Sequence, residues 1–226
     1  MNPLKNIGLQ DNSNCLTPQQ IEQVGEILPD SNSISVLEFG AGRSSVIIFN
    51  ALKKKYKNVT YVTYETNAEY APTEKGITVR MHSREELRES TISIPKNEKY
   101  DLVIVDGPDG EDRRYWYPIF VNNVKNETVI HIDDAFHFVS FEHDFLISFP
   151  LAKIQYEHGR GTNRGKCWIT ATIDSEQRMS LCKNFKPIRT LSLILSTVLM
   201  LFARLLKVAC ISIAPPDTKQ GFRDNI

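Results

Sequence analysis

Residues 36–42 read V-L-E-F-G-A-G, and no other stretch limits the fold as tightly. An apolar, β-type run over residues 34–39 meets two glycines and passes directly into residues 44–55, whose apolar positions recur at helical spacing. A chain that turns from strand to helix this sharply needs small residues at the turn. The helix start beyond it offers free N–H groups to whatever lies above the loop.

Further elements fall into place around this unit. Thr17, Pro18 and Gln20 predict a capped helix start, with the helix running to Ile27 before Pro29. Strands are predicted over residues 59–64, 77–81, 100–106 and 129–133, with helical segments at 84–89, 114–124 and 141–148. Residues 152–157 and 167–172 form a predicted hairpin around the loop 158–166. Alternating strands and helices, with several strands almost wholly apolar, imply a mainly parallel sheet covered on both faces.

A chain of 226 residues suits one α/β domain with an appended segment, and 41% hydrophobic residues can bury a core. The 27 basic and 27 acidic residues cancel, which argues against broad nucleic-acid binding. Cys15, Cys167, Cys182 and Cys210 form no C-x-x-C pair, so neither a zinc site nor a disulfide framework is expected. Scattered cysteines and a polar start without an apolar export signal predict a cytoplasmic protein.

The run Glu38-Phe39-Gly40-Ala41-Gly42 resembles the first motif of the class I S-adenosylmethionine-dependent methyltransferases: an acid, any residue, Gly, any residue, Gly. A dinucleotide loop would instead want a third glycine where Ser45 stands. Glu65, closing the second strand, matches the family's second motif, an acid that binds both ribose hydroxyls; a carboxylate accepts two hydrogen bonds from a vicinal diol. The resemblance implies a Rossmann-like three-layer sandwich: a mainly parallel seven-stranded sheet, a C-terminal antiparallel hairpin and a C-terminal hydrophobic helix. It implies S-adenosylmethionine as cofactor and Glu38, Gly40, Gly42, Ser44, Glu65 and Asp106 as the residues that hold it. The plainer alternative makes Glu38 and Glu65 solvated acids at strand ends.

Asp106 follows the fourth predicted strand, and Asp133 and Asp134 follow the fifth. Carboxylates converging there would raise one another's pKa, and a hard cation such as Mg²⁺ would relieve them. The layout resembles the metal-dependent O-methyltransferases of the catechol and caffeoyl-coenzyme A type, which implies Asp106, Asp133 and Asp134 as metal ligands. Two features depart from that pattern. Asp134 stands for an Asn, and the family's lysine is missing, with Asp109 nearby. The alternative is that Asp106 lines the cofactor pocket while Asp133 or Asp134 caps the next helix. The combination E-F-G-A-G-R-S-S, V-D-G-P and Arg113 also resembles plant glucuronoxylan O-methyltransferases over residues 16–173.

An oxygen acceptor must lose a proton, which nominates Asp106 and His137 as catalytic groups. A histidine between Phe136 and Phe138 is more often a packed residue than a base, and His131 lies inside a strand as core. Arg113, Arg114, Tyr115 and Trp116 are placed to dock an acidic or sugar-like acceptor, or else to open a solvated helix with two aromatics in the core. The expected activity is methyl transfer to oxygen of a small or glycan-like acceptor. Two rivals stand beside it. One is aminopropyl transfer, although its Asp-Ser-Ser-Asp stretch is replaced by Asp106-Gly107-Pro108-Asp109. The other is a non-catalytic, membrane-tethered nucleotide-binding module.

The methyltransferase domain is expected over residues 1–182, and a basic linker and hydrophobic tail over 183–226. Residues 190–203 carry no charge over 14 positions, and Arg204 and Lys207 interrupt before a second apolar run. A wide apolar face with basic margins over residues 190–213, preceded by Lys183, Lys186 and Arg189, predicts a helix at an anionic membrane surface. A spanning form of the same helix, and packing on its own domain or on a second copy as a homodimer, are the alternatives.

Overall fold

The computed structural model describes residues 2–5, 16–108, 110–134, 139–150, 152–158 and 167–173. They fall within one compact unit, Met1–Arg178. The chain begins with α1 (Pro18–Ile27), β1 (Ser33–Phe39), α2 (Arg43–Lys55), β2 (Asn58–Glu65), β3 (Ile77–Met81), α3 (Arg84–Arg88) and β4 (Tyr100–Val105). A 3₁₀ turn (Gly110–Tyr115), α4 (Trp116–Phe120), β5 (Val124–Ile132), α5 (Val139–Ser148), β6 (Lys153–His158) and β7 (Cys167–Thr172) complete it.

The seven strands form one sheet in the order β3-β2-β1-β4-β5-β7-β6. The pairs β3–β2, β2–β1, β1–β4 and β4–β5 are parallel, and β7 runs antiparallel to both β5 and β6. This is the α/β, Rossmann-like architecture expected above, with the terminal hairpin as its antiparallel edge. After β3 the chain returns to the middle and builds outward the other way, so the sheet reverses between β1 and β4. Open sheets of this kind bind ligands beyond the strand ends at such a reversal.

Each strand presents alternate side chains to the two faces. Leu37, Phe39, Val103, Val105, Ile130 and Ile132 pack against Trp116, Tyr117, Phe120, Phe145 and Phe149. On the opposite face Ile34, Val36, Leu102, Ile104 and Val129 pack against Ile21, Val24, Ile48 and Leu52 of α1 and α2. The predicted capping box of α1 is present: the Gln20 N–H donates to Thr17 Oγ1 and the Thr17 N–H to Gln20 Oε1.

Two boundaries differ from expectation. The helix predicted over 114–124 is a 3₁₀ turn followed by the short α4. The chain leaves α4 because Asn123 is pulled into the sheet end, its amide donating to Pro95 O and Glu98 O at 2.9 Å each. β5 therefore begins at Val124, not Val129. Its first part is irregular, with a register shift against β4 and Glu127 at φ 63°, so its exposed Lys-Asn-Glu stretch did not read as strand.

Candidate functional site

Register alone assembles the site. Phe39 sits opposite Tyr64 and Val105, and Val105 opposite Ile132. One residue further along each strand, Gly40, Glu65, Asp106 and Asp133 therefore come into line at the carboxyl edge. Glu38 lies two residues back from Gly40, on the α1 and α2 face with Val36.

Gly40 and Gly107 touch back to back. Gly40 has φ +91°, and a Cβ on it would stand 2.4 Å from Gly107 N; a Cβ on Gly107 would stand 2.6 Å from Gly40 Cα. The loops after β1 and β4 also share the Phe39 carbonyl, which accepts from Asp106 N at 2.8 Å and Gly107 N at 2.7 Å. Gly40 is thus required by packing of the two loops. Gly42 differs: its backbone is extended, and a Cβ there would meet none of the described residues within 4 Å. Nothing among the described residues requires a glycine at 42.

Glu38 is fully buried, and neither carboxylate oxygen has a hydrogen-bond partner among the described residues. Burial pushes its pKa up to about 7. The Ser45, Thr63 and Tyr61 hydroxyls are near enough to oppose that rise in part, yet none makes a hydrogen bond of ordinary geometry. Glu65 is buried too, and its carboxylate is held by backbone. Oε2 accepts from Ala41 N in the glycine loop at 2.7 Å, and Oε1 from Thr66 N and Asn67 N at 2.7 Å each. The alternative of two solvated acids does not hold: both are under 10% exposed. Ser44, expected in the cofactor set, is buried in the first turn of α2; its neighbour Ser45 accepts from Gly42 N at 2.9 Å.

The carboxylates after β4 and β5 meet an arginine. Arg113 is buried, and its Nε donates to Pro108 O and its Nη1 to Asp133 O, both at 3.0 Å. The same guanidinium lies 3.9 Å from Asp106 Oδ1 and 3.6 Å from Asp134 Oδ2. Asp133 accepts from Gln20 Nε2, so the capping glutamine of α1 also anchors the end of β5. Burial, and next the Asp133 charge, hold Asp106 well above the usual carboxylate range, with Arg113 opposing. The expected mutual rise is therefore present at Asp106. The metal expectation is not supported. Among the described residues no three His, Cys, Asp or Glu side chains are arranged to hold an ion, and Arg113 lies beside two of the three predicted ligands.

A further expectation is revised. Arg113 belongs to neither alternative, solvated helix start or acceptor dock, because it is 5% exposed inside the site wall. Trp116 is core, as the second alternative expected: it is fully buried, stacks on Phe39 at 4.0 Å and donates to Gly107 O at 3.1 Å. His131 is core as expected, with its pKa lowered to about 4 by burial. His137 and Asp109 lie outside the described residues. Gln20 was not expected at the site, and a cap glutamine carries no signal in sequence for a partner 113 residues away.

A precorrin-6y C5,15-methyltransferase from Geobacter metallireducens is similar in structure at 13% identity, with a TM-score of 0.51 over 75% of this chain and 97% of that one. The chain has the Rossmann-like fold of the class I S-adenosylmethionine-dependent methyltransferases. Two further structures carrying S-adenosylhomocysteine are also similar. An O-methyltransferase from Bacillus cereus matches at 13% identity and TM-score 0.49, covering 72% of this chain and 84% of its own. An N-methyltransferase from Bradyrhizobium japonicum matches at 9% identity and TM-score 0.47, covering 76% and 94%. No family model matches the sequence, and no curated protein does.

Proposed function

We propose that the chain is an S-adenosylmethionine-dependent methyltransferase whose cofactor lies over the loop Gly40-Ala41-Gly42, between Glu38 and Glu65. The observation that carries this reading is the Glu38 carboxylate, fully buried near the end of β1 among the Ser45, Thr63 and Tyr61 hydroxyls and without a hydrogen bond of ordinary geometry among the described residues. A buried charge without a partner is costly, and an ammonium group close by would favour its ionised form. Gly42 supports the same reading, because its side toward open space leaves room for a ligand against the backbone. Glu65 is held at the strand edge by the Ala41, Thr66 and Asn67 N–H groups and the Thr66 hydroxyl; Oε2, with a single protein donor, is the oxygen that keeps an acceptor position for a ribose hydroxyl.

The chemistry the cofactor supplies when bound is an electrophilic methyl group on a cationic sulfur. The chain's part is to align the acceptor with it and take a proton away. Asp106 is the nominated proton acceptor by its place beyond β4, and the neighbouring Arg113 guanidinium favours the ionised carboxylate that a base needs. The finer reading is methylation of an oxygen on a small or glycan-like acceptor. It is supported by the polar wall of Asp106 and Asp134, whose partly exposed carboxylates offer acceptors to hydroxyls. His137 stays a second candidate base on its sequence position alone. Aminopropyl transfer is not favoured: Asp106-Gly107-Pro108-Asp109 lacks the serines of its Asp-Ser-Ser-Asp stretch, and the similar Geobacter structure is a methyltransferase.

We also read residues 1–182 as the methyltransferase domain and residues 183–226 as a cytoplasmic membrane-surface tail. That tail lies outside the described residues, and among those described no helix is long and apolar enough to cross a membrane. Calorimetric titration of S-adenosylmethionine and S-adenosylhomocysteine into the full chain tests the central reading. Binding to the wild type that is lost in Glu65→Ala is expected. Failure of a folded wild type to bind either nucleotide would refute it and leave the non-catalytic module.

A further inference from the structure

We propose that Arg113 is the resident cation of the pocket wall, supplying to Asp106 and Asp134 the positive charge expected of a divalent ion, so that the site binds no metal. Three observations carry this. The guanidinium is built in: it is 95% buried, and its fork bridges the backbone of both loops through Pro108 O and Asp133 O. An arginine side chain keeps its charge at every pH a protein survives. Its nitrogens already stand within 4 Å of Asp106 and Asp134.

The third predicted ligand, Asp133, stands beside Asp106 but has one of its oxygens taken from outside the pocket. Asp133 Oδ1 takes the amide of Gln20, whose own oxygen is engaged by the cap of α1. Mg²⁺ would need several oxygens converging at about 2.1 Å. Bringing these three carboxylates to one point would place the ion against a fixed guanidinium and break the Gln20 contact. The replacement of Asn by Asp at 134 fits the same account, since the added negative charge is the one that faces Arg113 Nη1. The sequence gives Arg113 no such distinction. It sits in a polar G-E-D-R-R-Y stretch that reads as surface, and only the 3₁₀ turn carries it back under the strand ends.

This proposal rests on the cofactor-pocket reading for its place in the reaction, and metal binding tests it separately. The probe is Mn²⁺, followed by electron paramagnetic resonance on the full chain. The wild type is expected to bind no Mn²⁺ in the micromolar range, with or without S-adenosylmethionine. Arg113→Met uncovers Asp106 and Asp134 and is expected to gain Mn²⁺ affinity at least tenfold. Adding Asp106→Asn to that variant is expected to abolish the gain. Micromolar binding to the wild type that Asp106→Asn removes would overturn the proposal, as would a folded Arg113→Met without any gain. If Arg113→Met does not fold, the wild type and Asp106→Asn decide the matter alone: metal binding lost with Asp106 overturns it, and none upholds it. Wild type that binds neither Mn²⁺ nor cofactor would sink the methyltransferase reading and leave Arg113 as assigned.

Discussion

Replacing Glu38 with Gln should make the free protein more stable at alkaline pH while weakening its hold on the cofactor. The unfolded carboxyl releases its proton near its ordinary 4.5, whereas the folded one keeps it to about 7. Between those values the folded state binds more protons than the unfolded state, so stability falls as pH rises. At about 1.4 kcal/mol per pKa unit, the gap makes ionised Glu38 a burden of about 3 kcal/mol at pH 8. Glutamine keeps the shape and cannot ionise, so the variant is spared that loss. Urea unfolding of both proteins at pH 5 and pH 8 reads the effect. The wild type should lose about 2–3 kcal/mol more than the variant on going from pH 5 to pH 8. Comparing the two pH values cancels any difference between a buried amide and a buried neutral acid. In the same samples S-adenosylmethionine should bind the variant at least tenfold more weakly, because its ammonium loses the opposing charge. Identical pH dependence in both proteins would refute the argument, since Glu38 would then have no buried ionisation to lose.

The two loop glycines should separate cleanly. Gly40→Ala drives a Cβ into the Gly107 backbone at a positive φ and should cost at least about 2 kcal/mol of stability. Gly42→Ala should stay within about 1 kcal/mol of wild type by the same urea measurement, yet bind cofactor at least tenfold more weakly; equal binding would show that nothing approaches that backbone. Glu65→Gln should keep the side-chain shape but lose charge-assisted contacts to Ala41, Thr66 and Asn67, which should lower the unfolding midpoint and weaken cofactor binding more than tenfold. Cofactor binding at pH 6 should release protons as Glu38 ionises beside a cation, measured as a dependence of calorimetric heat on buffer; Glu38→Gln should lack that release. The full chain should sediment with vesicles rich in anionic lipid and detach as salt rises, whereas indifference to lipid charge would favour a tail packed on protein.

Much of this site was legible because it sits on strand ends. An apolar strand announces its own boundary, and in a parallel sheet every carboxyl end faces the same edge. Glu38, Gly40, Glu65, Asp106 and Asp133 could therefore be named from position along the chain. Arg113 was named, but its role was not visible, because a buried arginine and a surface one are written with the same letter in the same polar stretch. The 3₁₀ turn replaced a helix for a related reason: Asn123 stops α4 through carbonyls contributed by residues 95 and 98, before β4 begins.

The sequence by itself determined the local units, meaning which runs are strands, where the glycine turn lies and which acids end a strand. Those follow from periodicity and from steric rules that act within a few residues. Only the tertiary structure decided which contacts those units make with one another. It showed Gly40 to be a packing glycine and Gly42 an open one among the described residues, left Glu38 without a hydrogen bond of ordinary geometry among them, and set Arg113 beside Asp106 and Asp134. Each of those outcomes depends on atoms brought together from distant segments, where burial and the approach of charges fix the chemistry.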